Sequence, residues 1–172
     1  VVYVNHVGAQ TELLFDGGSF VMNSHGAIVH ELNYFDEDFA VVEASQIIEN
    51  DQEAGEISQD EKIPIIHDAL IMGIRNYFRK LGFDKAILGL SGGIDSAVTL
   101  VLAAEALGAE NVKAVLMPSG FSSAHSLKDA VELALVLGCP YEVINIEQNY
   151  QSFLYSLSGQ LKGKAFDITE EN

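Results

Sequence analysis

The chain has 172 residues, 48% of them apolar and 20% charged, which is ample material for a buried core and excludes disorder of the whole. Nine Lys and Arg against 25 Asp and Glu give a net charge of −16, which argues against nucleic-acid phosphates or an anionic lipid surface as partner through bulk electrostatics. A single cysteine excludes a disulfide framework and a Cys-based zinc site and fits a reducing, cytoplasmic location, and no apolar run approaches the ~18 residues of a membrane span. The charge is unevenly spread: residues 1–61 carry −13 with no Lys or Arg, and residues 62–172 carry −3. The chain opens on VVYV without an initiator Met or a charged leader and is read as a piece of a longer polypeptide.

The first stretch reads as β-structure. Residues 1–4 form a β-branched and aromatic run, and residues 13–15 lead into the turn Asp16-Gly17-Gly18. Residues 19–22 and 27–32 flank Asn23-Ser24-His25-Gly26, where Gly26 suits the positive φ of a hairpin loop, and residues 39–42 are a further strand candidate. No helical period intervenes, so this is a piece of sheet without a covering layer. Residues 43–61 turn acidic and polar, the signature of a solvated connector. Pro64 suits a first helical turn, and an apolar stripe from Ile65 to Leu81 keeps a helical period up to Gly82, so a new domain is placed near Lys62.

From there the pattern alternates. Residues 85–90 form a buried-type strand, 95–107 an apolar helix closed by Gly108, and 112–117 a second strand ending at Pro118. Residues 126–137 are a second helix closed by Gly138, 141–146 a third strand, and 150–161 a weak helix. Short apolar strands alternating with helices predict an α/β fold with a Rossmann-like parallel sheet covered on both faces.

The chemistry concentrates in Gly89, Leu90, Ser91, Gly92, Gly93, Ile94, Asp95 and Ser96, a glycine-rich turn from strand to helix. Backbone amides at a helix N-terminus favour a phosphate, Gly92 and Gly93 let it approach the main chain, and Ser91 and Ser96 add hydroxyls. A tight turn alone would also use two glycines. The dinucleotide fingerprint fails, because the glycines lack the G-x-G-x-x-G spacing and no acid closes the second strand; a Walker loop fails, because no Lys follows the glycines. Gly89-Leu90-Ser91-Gly92-Gly93 does match the G-x-S-x-G elbow of serine hydrolases, but His125 is the sole later histidine and leaves no room for the acid between.

What remains is S-G-G-x-D-S. Residues 91–97, SGGIDSA, resemble the signature of the ATP pyrophosphatases, which include NAD, GMP and asparagine synthetases and tRNA-thiolating enzymes. The flanks, residues 81–138 with Met117-Pro118-Ser119, Ser122, Ser123, Ser126 and Asp129, look like the glutamine-dependent NAD synthetases. Residues 4–26 resemble the closing strands of the nitrilase-type glutaminase domain that precedes the synthetase domain there.

The resemblance implies an adenine-nucleotide alpha-hydrolase type of sheet preceded by strands of a nitrilase-type α-β-β-α sandwich. It implies a glutaminase tail at 1–45, an acidic linker at 46–61 and the start of the synthetase domain at 62–172. It also implies ATP-dependent amidation of nicotinic acid adenine dinucleotide to NAD, with ammonia from glutamine. ATP would be held by residues 89–96 together with Leu116 and Met117, Mg2+ by Asp95, and the dinucleotide substrate by Asn172, in a homo-oligomer when intact. The first-turn position of Asp95 is also explained by the helix dipole alone. The glutaminase triad would lie upstream. Cys139 is read as a buried apolar residue rather than a nucleophile, and His6, His25, His30, His67 and His125 lack metal-ligand spacing. This stretch by itself is expected to lack both glutaminase and full synthetase activity. The alternatives are a nucleotide-binding segment without turnover, another pyrophosphate-loop amidotransferase, and a serine hydrolase.

Overall fold

The computed structural model describes residues 1–55 and 62–161, divided into two compact units, 1–83 and 84 onward. In the first unit, β1 (Val2–Tyr3), β4 (Phe20–Met22) and β5 (Ile28–Glu31) form one antiparallel sheet in the order β1-β4-β5. β2 (Val7–Gln10) and β3 (Leu13–Asp16) pair as a separate antiparallel hairpin. The strand β2 escapes the sequence reading because Val-Gly-Ala-Gln has little β-propensity; it exists by pairing with β3 across a turn in which Thr11 takes φ 52°. The expected strand at 39–42 does not form. There Phe39 and Val41 are exposed, and the Asp38 carboxylate takes the Asn33 and Phe39 amides at 3.0 and 2.7 Å, a local alternative to strand pairing.

The turn at 23–26 is a hairpin loop as expected, with Gly26 at φ 83°. Its centre is Asn23, 4% exposed, whose Oδ1 accepts the amides of His25 and Ala27, both at 2.9 Å. Its Nδ2 donates to the carbonyls of Asn50 and Gln52 at 3.0 and 2.8 Å. The described part of the acidic stretch is therefore not a free connector: α1 (Ala44–Ile48) opens with a capping box between Glu43 and Gln46, and Glu53 bridges to Gly26. A buried amide collects carbonyls that composition marks as solvated.

The helix α2 (Lys62–Leu81) forms as the stripe predicts, with Met72 buried, but packs on the β2–β3 hairpin of its own unit. A Cβ on Gly73 would lie 3.2 Å from Leu14, and the Lys80 ammonium donates to the Ala9 carbonyl. The compact units divide at Phe83/Asp84, so that α2 packs within the first of them.

The second unit is a parallel sheet in the order β6-β7-β8, from β6 (Ala86–Gly89), β7 (Val112–Leu116) and β8 (Tyr141–Val143). The helices α3 (Ile94–Leu107) and α4 (Ala124–Leu137) are the crossovers, and α5 (Glu147–Leu161) follows β8. Two crossovers of one hand advancing in one direction put both helices on one face. Val112, Ala114 and Leu116 alternate along β7 into a core with Leu90, Leu100, Ala104, Ala130, Ala134 and Cys139. On the opposite face Lys113 pairs with Glu142 and Ile87 is 76% exposed, so among the described residues the expected cover on both faces is seen on one. Cys139, 4% exposed in that core, has its thiol pushed up by burial, as suits a packing residue.

Two outcomes follow for stability. Leu100 is fully buried, and Leu100→Ala is expected to destabilise the second unit by about 3 kcal/mol in chemical denaturation. Asn23→Ala strands buried amides and carbonyls together; it is expected to cost about 2 kcal/mol and to open residues 50–53 to limited proteolysis.

Candidate functional site

The site is built where β6 ends and α3 begins, at the carboxyl edge of the parallel sheet, the edge at which open α/β sheets bind ligands. Leu90 closes the strand: it is buried, and its amide donates to the Val115 carbonyl at 2.9 Å. The chain then turns through Ser91 and Gly92 to Gly93, the N-cap of α3, which is extended at φ −82° and ψ 156°.

Gly92 is required twice over. Its φ is +84°, and a Cβ there would collide with the Ser126 carbonyl in the first turn of α4. The glycine-rich turn therefore lies directly against a second helix start. Gly93 carries neither constraint: its φ is negative, and a Cβ would sit 3.4 Å from Ser91 Oγ, an ordinary contact.

The serines knit the turn together. Ser91 Oγ and Ser96 Oγ are 3.1 Å apart, Ser96 Oγ donates to the Gly93 carbonyl at 2.9 Å, and Gly93 N donates to Ser91 Oγ at 3.2 Å. Ser91 N donates to Ser96 Oγ at 3.3 Å, so two of the loop amides face hydroxyls at long distance rather than open solvent. Ser91 Oγ is bound by Ser96 and Gly93, not by an imidazole. His125 is 84% exposed, with Nδ1 3.3 Å from Asp129, so the hydrolase arrangement does not assemble.

Leu90, Ser91, Leu116 and Met117 are brought together as expected: with Pro118, Ser122 and Leu127 they line one cleft of about 90 Å³. Leu127 was not foreseen, since a helical leucine reads as core. Ile94 and Asp95 stand exposed in the first turn of α3. Among the described residues no group of three or more His, Cys, Asp or Glu side chains is placed to share a metal, so Asp95 is a single carboxylate beside the loop. His25 lies 3.6 Å from Glu53 and His6 packs its ring on Phe15. Asn172 lies outside the described residues, and a larger open cavity of about 650 Å³, lined by Val29, His30, Val41 and Glu49, belongs to the first unit.

The outer wall of the cleft is residues 118–123. Ser119 and Ser122 close a turn, with Ser122 N donating to the Ser119 carbonyl at 3.0 Å and Ser119 N to Ser122 Oγ at 3.1 Å. Ser123 then caps α4 by accepting the Ser126 amide at 3.0 Å, which starts the helix two residues before the apolar period does. Glu147, the first residue of α5, reaches back to this wall: Oε2 accepts the Gly120 amide at 2.7 Å and Oε1 accepts Gln151 Nε2 at 2.8 Å. The side-chain bond from Gln151, and then the Gly120 amide, hold its carboxyl below the usual carboxylate range.

A family described as NAD synthase matches residues 66–172. A glutamine-dependent NAD(+) synthetase of Synechocystis sp. is 40% identical, the match covering 100% of this chain and 31% of that protein. One of Rhodobacter capsulatus is 41% identical, with 100% and 32% covered. The solved glutamine-dependent NAD+ synthetase of Acinetobacter baumannii in complex with adenosine diphosphate superposes with a TM-score of 0.83 at 38% identity, over 99% of this chain and 32% of that one. The chain spans about a third of the length of the curated relatives it matches.

Two experiments test the site's construction. Gly92→Ala is expected to cost at least about 1–2 kcal/mol for the left-handed backbone alone, with α4 displaced in addition, whereas Gly93→Ala costs less, about 0.5–1 kcal/mol as a poorer N-cap. Because the folded carboxyl of Glu147 titrates below its usual value, its bond to Gly120 keeps a charged acceptor at and above pH ~4.5 and passes to a weaker, neutral acceptor as pH falls through the lower folded value. Hydrogen exchange at the Gly120 amide, followed from pH 6 downward, is expected to accelerate beyond the intrinsic trend only below that point.

Proposed function

Since the chain belongs to the NAD synthase family, we propose that its glycine-rich turn is the ATP subsite of an enzyme that amidates nicotinic acid adenine dinucleotide to NAD with ammonia released from glutamine. One observation carries the reading: the turn of Ser91, Gly92, Gly93 and Ser96 sits at the start of α3 and the carboxyl edge of the sheet, pressed against the start of α4.

The substrate carboxylate is a poor electrophile, so its oxygen first attacks the α-phosphorus of ATP and pyrophosphate leaves. Ammonia then attacks the acyl carbon, AMP departs with the bonding pair, and the amide forms. The turn serves the first step. Negative charge grows on the departing pyrophosphate, and amides and hydroxyls already placed around it stabilise that charge with little rearrangement. In this structure the hydroxyls of Ser91 and Ser96 occupy the loop amides through bonds of 3.2–3.3 Å, which phosphate oxygens, as charged acceptors, would replace with stronger ones.

Asp95 suits a magnesium ion, which is commonly held by one or two carboxylates together with substrate phosphates. When bound, the ion would neutralise charge on the phosphates. Met117, half exposed, offers an apolar edge for the adenine at the cleft it shares with Leu90 and Ser91, with Leu116 buried behind it. Residues 1–45 are read as the tail of a nitrilase-type glutaminase domain, a reading supported by relatives that align over all of this chain. The synthetase domain is read from Lys62 after an acidic linker at 46–61, the intact enzyme as a homo-oligomer, and Asn172 as a contact to the dinucleotide substrate.

The test is ATP binding by the 172-residue chain, then isotope exchange between pyrophosphate and ATP with the dinucleotide and Mg2+ present. Binding without exchange is expected of this segment. The double variant Ser91→Ala, Ser96→Ala is expected to bind ATP about 10- to 100-fold more weakly, the worth of one or two hydrogen bonds to a charged group. An ATP affinity untouched by that variant would sink the assignment, and fluorophosphonate labelling of Ser91 would revive the hydrolase.

A further inference from the structure

The wall of the cleft at residues 118–123 is closed within itself by a Ser119–Ser122 turn and a long contact from Phe121 N to Ser119 Oγ at 3.4 Å, and joins α4 through Ser123. Its other attachments run to the segment that leads from β8 into α5. Ile144 N donates to the Leu116 carbonyl at 2.8 Å and Ile146 N to the Pro118 carbonyl at 3.1 Å, continuing the sheet pairing past the end of β8. The Phe121 ring stacks edge-on against Tyr150 at 5.3 Å between centroids. At the tip, the Gly120 amide donates to Glu147 Oε2 at 2.7 Å, the shortest of these bonds.

The Glu147 carboxylate is itself fixed. Gln151, one turn along α5, binds its other oxygen, and the Glu147 amide donates to Asn145 Oδ1 at 2.8 Å, so the backbone from which the side chain springs is pinned. Gly120 in turn leaves room for the approach, since a Cβ there would lie 3.2 Å from Glu147 Oε2. The pair is therefore closely fitted, a carboxylate held at two oxygens and a glycine that lets it approach without displacement.

We propose that Glu147 is a positioning residue of the nucleotide cleft: by anchoring the Gly120 amide it holds the wall bearing Pro118 and Ser122 in place, so that ATP meets a formed cleft rather than ordering it on binding. This rests on reading the cleft as the ATP subsite. Preorganisation of this kind raises affinity without adding a contact to the ligand, because the ordering cost is met in the free protein.

A plain structural role makes a different forecast. An acid in the first turn of a helix is favourable through the dipole whatever its reach. Glu147→Asp keeps the charge at the start of α5 but is a methylene too short for Gly120, and Glu147→Gln loses the charge but keeps an oxygen to accept the amide. In the 172-residue chain, hydrogen exchange at Gly120 and the affinity for ATP are measured for Glu147→Ala, Glu147→Asp and Glu147→Gln, with the amides of Leu100 and Ala114 as the folding control.

The expected result is Gly120 exchange at least tenfold faster and ATP affinity three- to tenfold lower in the Ala and Asp variants, near wild type in the Gln variant, and the control amides unchanged in all three. Asp behaving as wild type while Gln behaves as Ala would overturn the proposal in favour of helix stabilisation. So would faster Gly120 exchange with unchanged ATP affinity, or loss of control-amide protection in step with Gly120. Absence of ATP binding by the wild-type chain would instead overturn the nucleotide reading of the cleft, and with it this role for Glu147, while Gly120 exchange would still report whether the anchor exists.

Discussion

The second unit is organised around a close approach of two backbones, Gly92 after β6 and Ser126 in the first turn of α4. No side chain fits between them, and the turn needs a left-handed residue, so a single position satisfies a steric and a conformational demand together. The starts of α3 and α4 meet at that contact. The chain after it enters α3 with Gly93 extended as the cap, and the start of α4 is brought against the same turn, with Ser123 closing it. The carboxyl edge of β6 and β7 thus presents the serine hydroxyls of the turn beside the apolar side chains of the cleft.

That surface rests on a core of small and medium side chains on one face of the sheet. Val112, Ala114 and Leu116 alternate inward along β7, and Ala104, Ala130 and Ala134 let α3 and α4 lie close to it. The alternation leaves Lys113 and Glu142 on the other side, where a charged pair replaces a packed layer. The wall of the cleft is fastened from the far end of the unit, through Glu147 and the residues following β8. The site is thus a product of both crossovers and of the start of α5 rather than of one motif.

Much of this was legible before any coordinates. The strand, helix and glycine spacing of residues 85–137 carries the parallel unit, and SGGIDSA carries the glycine-rich turn, because both depend on near neighbours in the chain. Residues 7–10 and 39–42 show the limit: the first, poor in β-formers, is a strand through its partner, and the second, rich in them, is not one, since Asp38 spends its carboxylate on the amides beside it. The acidic stretch after Glu43 reads as solvated, yet the described portion is collected by Asn23, a residue some 27 positions away. Glu147 gave no signal of its own, since an acid opening a helix is what the dipole already favours.

The sequence by itself determined the class of the second unit, the place of its glycine-rich turn and the family, because periodicity, turn chemistry and a seven-residue signature are local properties. Tertiary structure alone decided which face of the sheet is covered, that α2 belongs with the β2–β3 hairpin, that Gly92 is required by Ser126, and that Gly120 is held by Glu147. Each of these joins residues distant in the chain through a backbone group or a patch of surface, and a backbone amide or carbonyl is the same at every position until the fold gives it a neighbour.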